Sequence, residues 1–145
     1  MRILIRFGII GAIALGGFLL RDRLTGNPGD LKIGDCFDDP AAASEISDVQ
    51  HHPCSESHTA EVVYLGKLTG SDATYPSDPI VEGWVRSNCL PAWTTYTGKV
   101  FDTEPVLTLG FYQPTQEGWS HGDRDIICYA TREDGATMSG SVKTH

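Results

Sequence analysis

The feature that most constrains this chain is an uncharged apolar run at its N-terminus, residues 7–20, bounded by arginines on both sides. Counted over residues 3–20, a helix is about 27 Å long, which matches the hydrocarbon core of one bilayer. Arg2 and Arg6 precede the run, and Arg21 and Arg23 follow it with Asp22 between them. The sequence therefore predicts a single transmembrane helix, a signal anchor over residues 1–23.

Two alternatives compete with an uncleaved anchor. A cleaved signal peptide fits the short apolar run, but the A-x-A triplet at residues 12–14 lies in the middle of that run, too early for a cleavage site. No cysteine lies near the segment, so no lipid anchor is predicted. A buried core helix is the second alternative, and the basic flank at the extreme N-terminus disfavours it. The uncleaved anchor remains the prediction.

Charge and small residues suggest how the anchor sits and packs. The positive-inside rule places the N-terminus in the cytoplasm and the C-terminal domain outside it, as in a single-pass protein of the cell membrane. Gly8, Ala12 and Gly16 recur every four residues and lie on one face of the predicted helix. Small residues at this spacing let two membrane helices approach closely, which favours packing against a membrane partner.

The rest of the chain forms one acidic domain. Residues 24–30 are a linker rich in glycine and other helix-breaking residues, and residues 31–145 are one domain's worth of sequence. From Asp30 onward there are seven Lys and Arg against eighteen Asp and Glu, a net charge of −11. Phosphate backbones and anionic headgroups repel such a domain. We therefore predict no nucleic-acid partner, and membrane contact through the N-terminal helix alone.

All four cysteines lie in this domain: Cys36, Cys54, Cys89 and Cys128. An even number of cysteines in a small exported domain is typical of two disulfides. Three pairings are open from the sequence, and we favour Cys36–Cys54 with Cys89–Cys128, because each bond then ties a segment to its nearest neighbour along the chain. Each bond is expected to stabilise the fold by about 3 kcal/mol or more.

Hydrophobic patterning predicts strands separated by one helix. The strands are expected at residues 31–37, 59–68, 106–112, 125–131 and, after a turn at Gly135, 137–142. The helix is expected to begin at Pro79 with Asp78 as its N-cap, to be interrupted at residues 90–91, and to add one turn that Gly98 ends. Its predicted buried face comprises Ile80, Val81, Trp84, Val85 and Cys89. The expected fold class is α+β, a small disulfide-stapled domain with a mostly antiparallel sheet, one principal helix and a preceding N-terminal transmembrane helix.

The stretch HHPCSESH at residues 51–58 is the densest group of reactive side chains. A zinc site would use Cys54 with His51, His52 or His58, but it requires a reduced Cys54 in a compartment that oxidises thiols. A hydrolase would use one of the two serines with His58 as base, yet no nucleophile motif accompanies them. A glycosidase needs two carboxylates across a cleft, and no pair is singled out among the acids.

A structural interpretation fits this stretch better. Pro53 and Cys54 would fix the start of the strand at residues 59–68, and His58 would hydrogen-bond nearby backbone. His51 and His52 would be solvated loop residues. We accordingly predict no catalytic residue, no metal and no cofactor.

Several short motifs occur in a defined order along the domain. They are Gly34-Asp35-Cys36-Phe37, Pro53-Cys54-Ser55-x-x-His58-x-x-Glu61-Val62, Cys89 with a Tyr96-x-Gly98 tail, and Trp119-x-x-Gly122-Asp123-Arg124 with Cys128. Together they resemble the septum formation domain of actinobacterial membrane-anchored proteins. The resemblance covers residues 31–130. It implies a small, exported, disulfide-bonded domain associated with cell division or the cell envelope, and it implies no catalytic residues.

Six residues of these motifs form a predicted structural or binding cluster of polar side chains: Asp35, His58, Glu61, Trp119, Asp123 and Arg124. The planar guanidinium of Arg124 is expected to pair with Asp35 or Glu61 in a partly buried structural ion pair. A ligand clamp is the alternative. Most of the aromatic residues are expected in the core.

Three functions follow from these observations. The first is a membrane-anchored extracytoplasmic interaction module of the division or envelope machinery, binding a protein partner. The second is an envelope glycan-binding protein or small hydrolase, which needs a pocket lined by paired acids or by Trp119 with Arg124. The third is an accessory subunit of a membrane complex, which rests on Gly8, Ala12 and Gly16.

Overall fold

Apolar segments in the second half of the chain form inner strands of one β-sheet, and a long helix packs against this sheet. The computed structural model describes residues 7–10, 25–26, 28–40 and 49–145. In these residues the strands and helices are, in chain order, β1 (Phe7–Ile10), β2 (Thr25–Gly26), β3 (Cys36–Asp38), β4 (Val49–His52), β5 (Ala60–Lys67), α1 (Asp78–Thr97), β6 (Leu107–Pro114), α2 (Gln116–Ser120) and β7 (Asp125–Arg132).

The strands form one sheet in the order β1-β6-β7-β5-β3-β4-β2. Neighbouring strands are antiparallel, except that β1 runs parallel to β6. β7 lies between β5 and β6, and its residues Ile126–Thr131 are all buried. The predicted α+β class with a mostly antiparallel sheet, one principal helix and two disulfides is confirmed.

Helix α1 is continuous over twenty residues, so the predicted interruption at residues 90–91 is wrong. Buried residues recur along it with a spacing of four, at Val81, Val85, Cys89, Trp93 and Thr97. This stripe packs on the sheet both before and after Pro91. Because proline has no N–H, the carbonyl oxygen four residues earlier lacks its helical hydrogen bond, and Pro91 lies on the exposed side of the helix, where water can bind that oxygen. The packing of the stripe therefore outweighs the proline's disruption.

The two ends of α1 agree with the sequence pattern to within one residue. Ser77 rather than Asp78 is the N-cap, and Pro79 lies in the first turn. Gly98 ends the helix in a left-handed conformation with φ of 69°, as predicted. Ile80 was predicted on the buried face but is 62% exposed, because the buried stripe begins at Val81.

Each face of the sheet contributes to a separate apolar cluster. The larger cluster lies under α1 and includes Trp93, Trp119 and Phe111. The smaller cluster lies on the opposite face around Phe37, Tyr112 and Tyr129, whose rings contact one another with centroids 5.0–6.1 Å apart. The sheet is therefore buried on both faces, which explains why β6 and β7 carry nearly continuous apolar sequence.

Two predicted strands are wrong in extent, and the strands β1, β2 and β4 were not predicted as strands. Only Cys36–Asp38 of the expected strand at residues 31–37 is extended, because the Asp35 carboxylate accepts a hydrogen bond from the Lys32 amide (2.9 Å) and closes a turn. The expected strand at residues 137–142 is reduced to one bridge between Met138 and His58. β4 was not predicted, since Val-Gln-His-His has weak strand propensity.

The predicted signal anchor covers residues 1–23, and the structure describes only Phe7–Ile10 of it. These four residues form β1 against β6 rather than a helical turn. A short apolar segment can form the hydrogen bonds of its backbone N–H and C=O groups either within a helix or along the edge of a sheet. No helix in the described part of the chain combines the length and apolarity needed to cross a bilayer. Of the predicted helix-packing residues, Gly8 lies in β1, and Ala12 and Gly16 lie outside the described residues.

Candidate functional site

The six polar residues predicted to cluster fall into two groups at opposite ends of β5. The group where β5 begins contains Asp35, His58 and Glu61. The group where β5 ends contains Trp119, Asp123 and Arg124. The strand between the two ends spans about 20 Å. The two groups are therefore separate sites, and Arg124 pairs with neither Asp35 nor Glu61.

Glu61 is a fully buried carboxylate that joins three parts of the chain. Its Oε1 accepts hydrogen bonds from the Tyr96 hydroxyl on α1 and from the Ser141 hydroxyl, each at 2.6 Å. Its Oε2 accepts the Val142 backbone N–H at 2.7 Å. Burial, reinforced by the Glu61 carboxylate, raises the pKa of Tyr96 far above its ordinary value, so this hydroxyl stays a donor.

His58 lies beside Glu61 and is also fully buried. Its backbone exchanges two hydrogen bonds with Met138, of 2.9 and 2.6 Å. Its ring Nδ1 lies 2.7 Å from the Glu56 carbonyl oxygen, and because a carbonyl only accepts, Nδ1 carries the proton and donates. This contact confirms the predicted bond from His58 to nearby backbone.

The Cys36–Cys54 disulfide closes this end of the domain. The second disulfide joins Cys89 on α1 to Cys128 on β7, so both bonds follow the favoured pairing. Cys36, His58 and Glu61 each offer a potential ligand atom, and these atoms lie within 4.8 Å of one another. With the disulfide intact, the site holds neither a nucleophilic thiolate nor a thiolate ligand.

His51 and His52 belong to β4, so their assignment to a solvated loop is wrong. Both are half-buried. The Nε2 atom of His52 lies 2.7 Å from the Asp38 carboxylate on the neighbouring strand, where the two residues form a cross-strand ion pair when the imidazole is protonated. This ion pair could not be predicted from the sequence, because the two residues lie on different strands and no local pattern in β4 indicates the contact.

Arg124 organises the second group as a structural residue. Its guanidinium lies 3.8 Å from the Trp119 ring centroid and donates to the carbonyl oxygens of Trp119 (2.7 Å) and Gly70 (3.1 Å). It also pairs with Asp72. Trp119 is 1% exposed, and its Nε1 donates to the Ser71 carbonyl. The Trp119–Arg124 pair therefore presents no aromatic surface to a sugar, which removes the predicted support for glycan binding there.

A third polar group, absent from the sequence analysis, lies on the opposite face of the sheet. The Asp39 carboxylate accepts hydrogen bonds from the hydroxyls of Tyr112 (2.7 Å) and Tyr129 (3.0 Å), both fully buried. Burial, together with Tyr129 and Asp39, raises the pKa of Tyr112 far above its ordinary value. The Tyr129 ring lies across Gly110, where a Cβ atom would approach ring carbons to 2.4 Å. Glycine is therefore required there.

An open groove of about 250 Å³ lies where β5 ends, near the start of the domain. Leu31, Leu65 and Ile127 supply its apolar walls, and the ion pair Lys67–Asp125 lies at its rim. Gly29 also lines the groove. Leu65 is 36% exposed, so a bound molecule would have direct access to it.

Comparisons with known proteins identify the family to which this domain belongs. No curated protein and no solved structure matches the chain. A family model described as "Septum formation" matches residues 33–144, which include both disulfides, the Glu61 site and the Arg124 group. This match confirms the resemblance derived from the short motifs. The chain belongs to the septum formation family.

Proposed function

We propose that this protein is a membrane-anchored module of septum formation whose extracytoplasmic domain binds a protein partner in the membrane or envelope. Its family points to a role related to cell division. The observation that carries partner binding is the apolar groove of Leu31, Leu65 and Ile127 at the N-terminal end of the domain. Trp119 and Arg124, the predicted ligand clamp, are instead occupied by bonds within the fold.

The position of the groove supports a partner close to the bilayer. The predicted anchor ends at residue 23, six residues before Gly29, which lines the groove. Six extended residues reach about 20 Å at most. An anchored chain therefore holds the groove next to the membrane surface. We infer that its occupant is an apolar side chain from the juxtamembrane segment of another membrane protein.

Anchoring requires a change in one described strand. Insertion of residues 3–20 into a bilayer removes Phe7–Ile10 from the edge of β6. Because β1 has only four residues and pairs on one side, few backbone bonds are lost, and burial of the apolar run in hydrocarbon offsets them.

Site-specific photo-crosslinking of the full chain in dividing cells tests this proposal. A photoreactive residue at Leu65 is expected to capture a membrane protein, whereas the same residue at Val106 is not. The two positions are matched, because Leu65 is 36% and Val106 39% exposed. Val106 precedes β6 at the opposite end of the sheet, about 20 Å away along β7.

Localisation of a fluorescent fusion provides the second arm. Enrichment at division septa and retention in the membrane fraction are expected. Equal capture at Leu65 and Val106, or a uniform signal with no captured protein, would contradict partner binding. Loss of residues 1–23 in the mature protein would contradict the anchor but not the groove.

A further inference from the structure

The buried imidazole of His58 has a ring nitrogen that the fold does not use. Nδ1 is committed as a donor to the Glu56 carbonyl, so Nε2 of the neutral ring carries a free lone pair. This Nε2 atom is buried and has no hydrogen-bond partner in the part of the chain that the structure describes. A backbone carbonyl that fixes one nitrogen and leaves the other free is the arrangement typical of metal-binding histidines.

Two further potential ligands lie beside this histidine, and a third is bonded to one of them. The Cys36 sulfur and a Glu61 carboxylate oxygen lie with a His58 nitrogen inside one 4.8 Å group. The Cys54 sulfur is bonded to that of Cys36 and so adds a fourth ligand. A carboxylate has about four acceptor positions, and Glu61 uses three of them for Tyr96, Ser141 and Val142. One position therefore remains for a metal ion.

We propose that reduction of the Cys36–Cys54 disulfide opens a zinc site formed by Cys36, Cys54, His58 and Glu61. In a tetrahedral zinc site the ligand atoms lie about 3.3–3.8 Å apart, so the Cys36, His58 and Glu61 atoms, which lie within 4.8 Å of one another, need only a small contraction. The Cys54 sulfur, once released from Cys36, completes the set by rotation of its side chain. Two thiolates and an imidazole favour zinc over magnesium or calcium, which prefer oxygen ligands. While the disulfide is intact, its two sulfur atoms are not thiolates and cannot bind zinc.

The redox step is a thiol–disulfide exchange. A dithiol reductant gives two electrons and two protons to the Cys36–Cys54 bond, which breaks into two thiols while the reductant becomes a disulfide. Zinc binding then releases the two thiol protons to water. The metal replaces the covalent bond as the closure of the loop at residues 37–53, so the domain keeps this end folded under reducing conditions.

Zinc binding to the purified full chain tests the site directly. The chain is titrated with Zn²⁺ before and after reduction by a phosphine, with bound metal, thiol count and near-ultraviolet circular dichroism measured together. One equivalent is expected in the reduced chain and none in the oxidised chain. Cobalt substituted for zinc should give tetrahedral d–d bands and a thiolate-to-metal charge-transfer band.

His58→Ala and His52→Ala form a matched pair, since both histidines lie near the disulfide but the Nε2 of His52 already contacts Asp38. His58→Ala is expected to weaken zinc binding more than about tenfold, and His52→Ala to leave it unchanged. If His58→Ala does not fold, the cobalt spectrum and a zinc-dependent rise in the Tm of the reduced native-sequence chain decide the question. Absence of binding, equal loss in both variants, or binding without the native dichroism would overturn the proposal.

Discussion

Glu61 joins β5, α1 and the segment at residues 141–142 through one carboxylate, so its substitution tests the site more sharply than any other. Glu61→Gln keeps the shape but places an amide N–H₂ among hydrogen-bond donors. Because bonds to a charged acceptor are each worth about 1.5–3 kcal/mol, we expect a loss of about 2–4 kcal/mol in the free energy of unfolding. Guanidinium denaturation measures it.

Ser141→Ala is the control for that substitution. It removes one of the three hydrogen bonds and leaves the charge in place, so a loss of about 1.5 kcal/mol is expected. A Glu61→Gln variant within about 0.5 kcal/mol of the parent would contradict the role of this side chain in joining the three segments.

Arg124 and Arg132 contrast a packed arginine with a surface one. Arg124 stacks on Trp119 and holds the Gly70 carbonyl, whereas Arg132 pairs with the exposed Asp134. Arg124→Ala is expected to destabilise the domain by about 2–3 kcal/mol, and Arg132→Ala to have a much smaller effect on stability. Chemical denaturation of both variants checks this difference, and equal losses would contradict the structural role of Arg124.

Tyr112 gives the domain a pH dependence in the alkaline range. Its raised pKa keeps the hydroxyl protonated in the folded state, while the unfolded chain releases this proton near pH 10. Stability should therefore be unaffected by this group below about pH 10 and fall above it, by up to about 1.4 kcal/mol per pH unit. Urea denaturation between about pH 9 and pH 12 measures the slope. Tyr112→Phe is expected to reduce this slope, to which Tyr96 with its raised pKa also contributes, and an unchanged slope would contradict this assignment.

At the scale of elements, α1 contains two residues that weaken it without a packing role in the buried stripe. Pro91 is exposed and lacks the N–H of a helical bond, and a Cβ at Gly83 meets no atom within 4 Å. Pro91→Ala is expected to stabilise the domain by about 1–3 kcal/mol, and Gly83→Ala by about 1 kcal/mol. Thermal unfolding measures both. A neutral Pro91→Ala would mean that the helix bends there.

The elements that sequence predicted well are those whose signal is local. β5 and β7 carry long apolar runs, and α1 repeats buried residues every four positions, so their type follows from periodicity alone. β4 has no such pattern and becomes a strand through pairing with β3. The expected strand at residues 137–142 fails for the opposite reason, because its Val142 N–H bonds to the Glu61 side chain instead of a neighbouring strand.

The candidate site was predicted in part for a related reason. Cysteine spacing was enough to favour both disulfides, since each joins neighbouring segments. His58 and Glu61 were found through motif order. Asp39 was missed because its partners Tyr112 and Tyr129 lie 73 and 90 residues away, and only the folded sheet brings them together.

At the scale of the whole molecule, the two disulfides should contribute unequally to the free energy of unfolding. They close loops with sequence separations of 18 and 39 residues, which the chain-entropy relation converts to about 3 and about 4 kcal/mol. Cys36→Ala and Cys54→Ala should be equally damaging and their double variant little worse, because they break one bond. Cys89→Ala should cost more, since Cys89 and its partner Cys128 both lie in the buried core.

Denaturant titrations of the single and double cysteine variants, with thiol counting, check these values. A double variant that is much less stable than either single variant would mean that Cys36 and Cys54 act separately rather than through their bond.

Residues 138–144 cover the Glu61 and His58 site, and this determines the order in which the disulfide forms and the site becomes buried during folding. Met138 bridges to His58, Gly140 donates to the Cys54 carbonyl, and Ser141 bonds Glu61 across 80 residues of chain. A polypeptide that emerges N-terminus first presents Cys36 and Cys54 early, long before these partners arrive. The Cys36–Cys54 bond can therefore form in a nascent chain in which the Glu61 carboxylate is still hydrated. Docking of residues 138–144, rather than oxidation of the cysteines, is the event that buries Glu61.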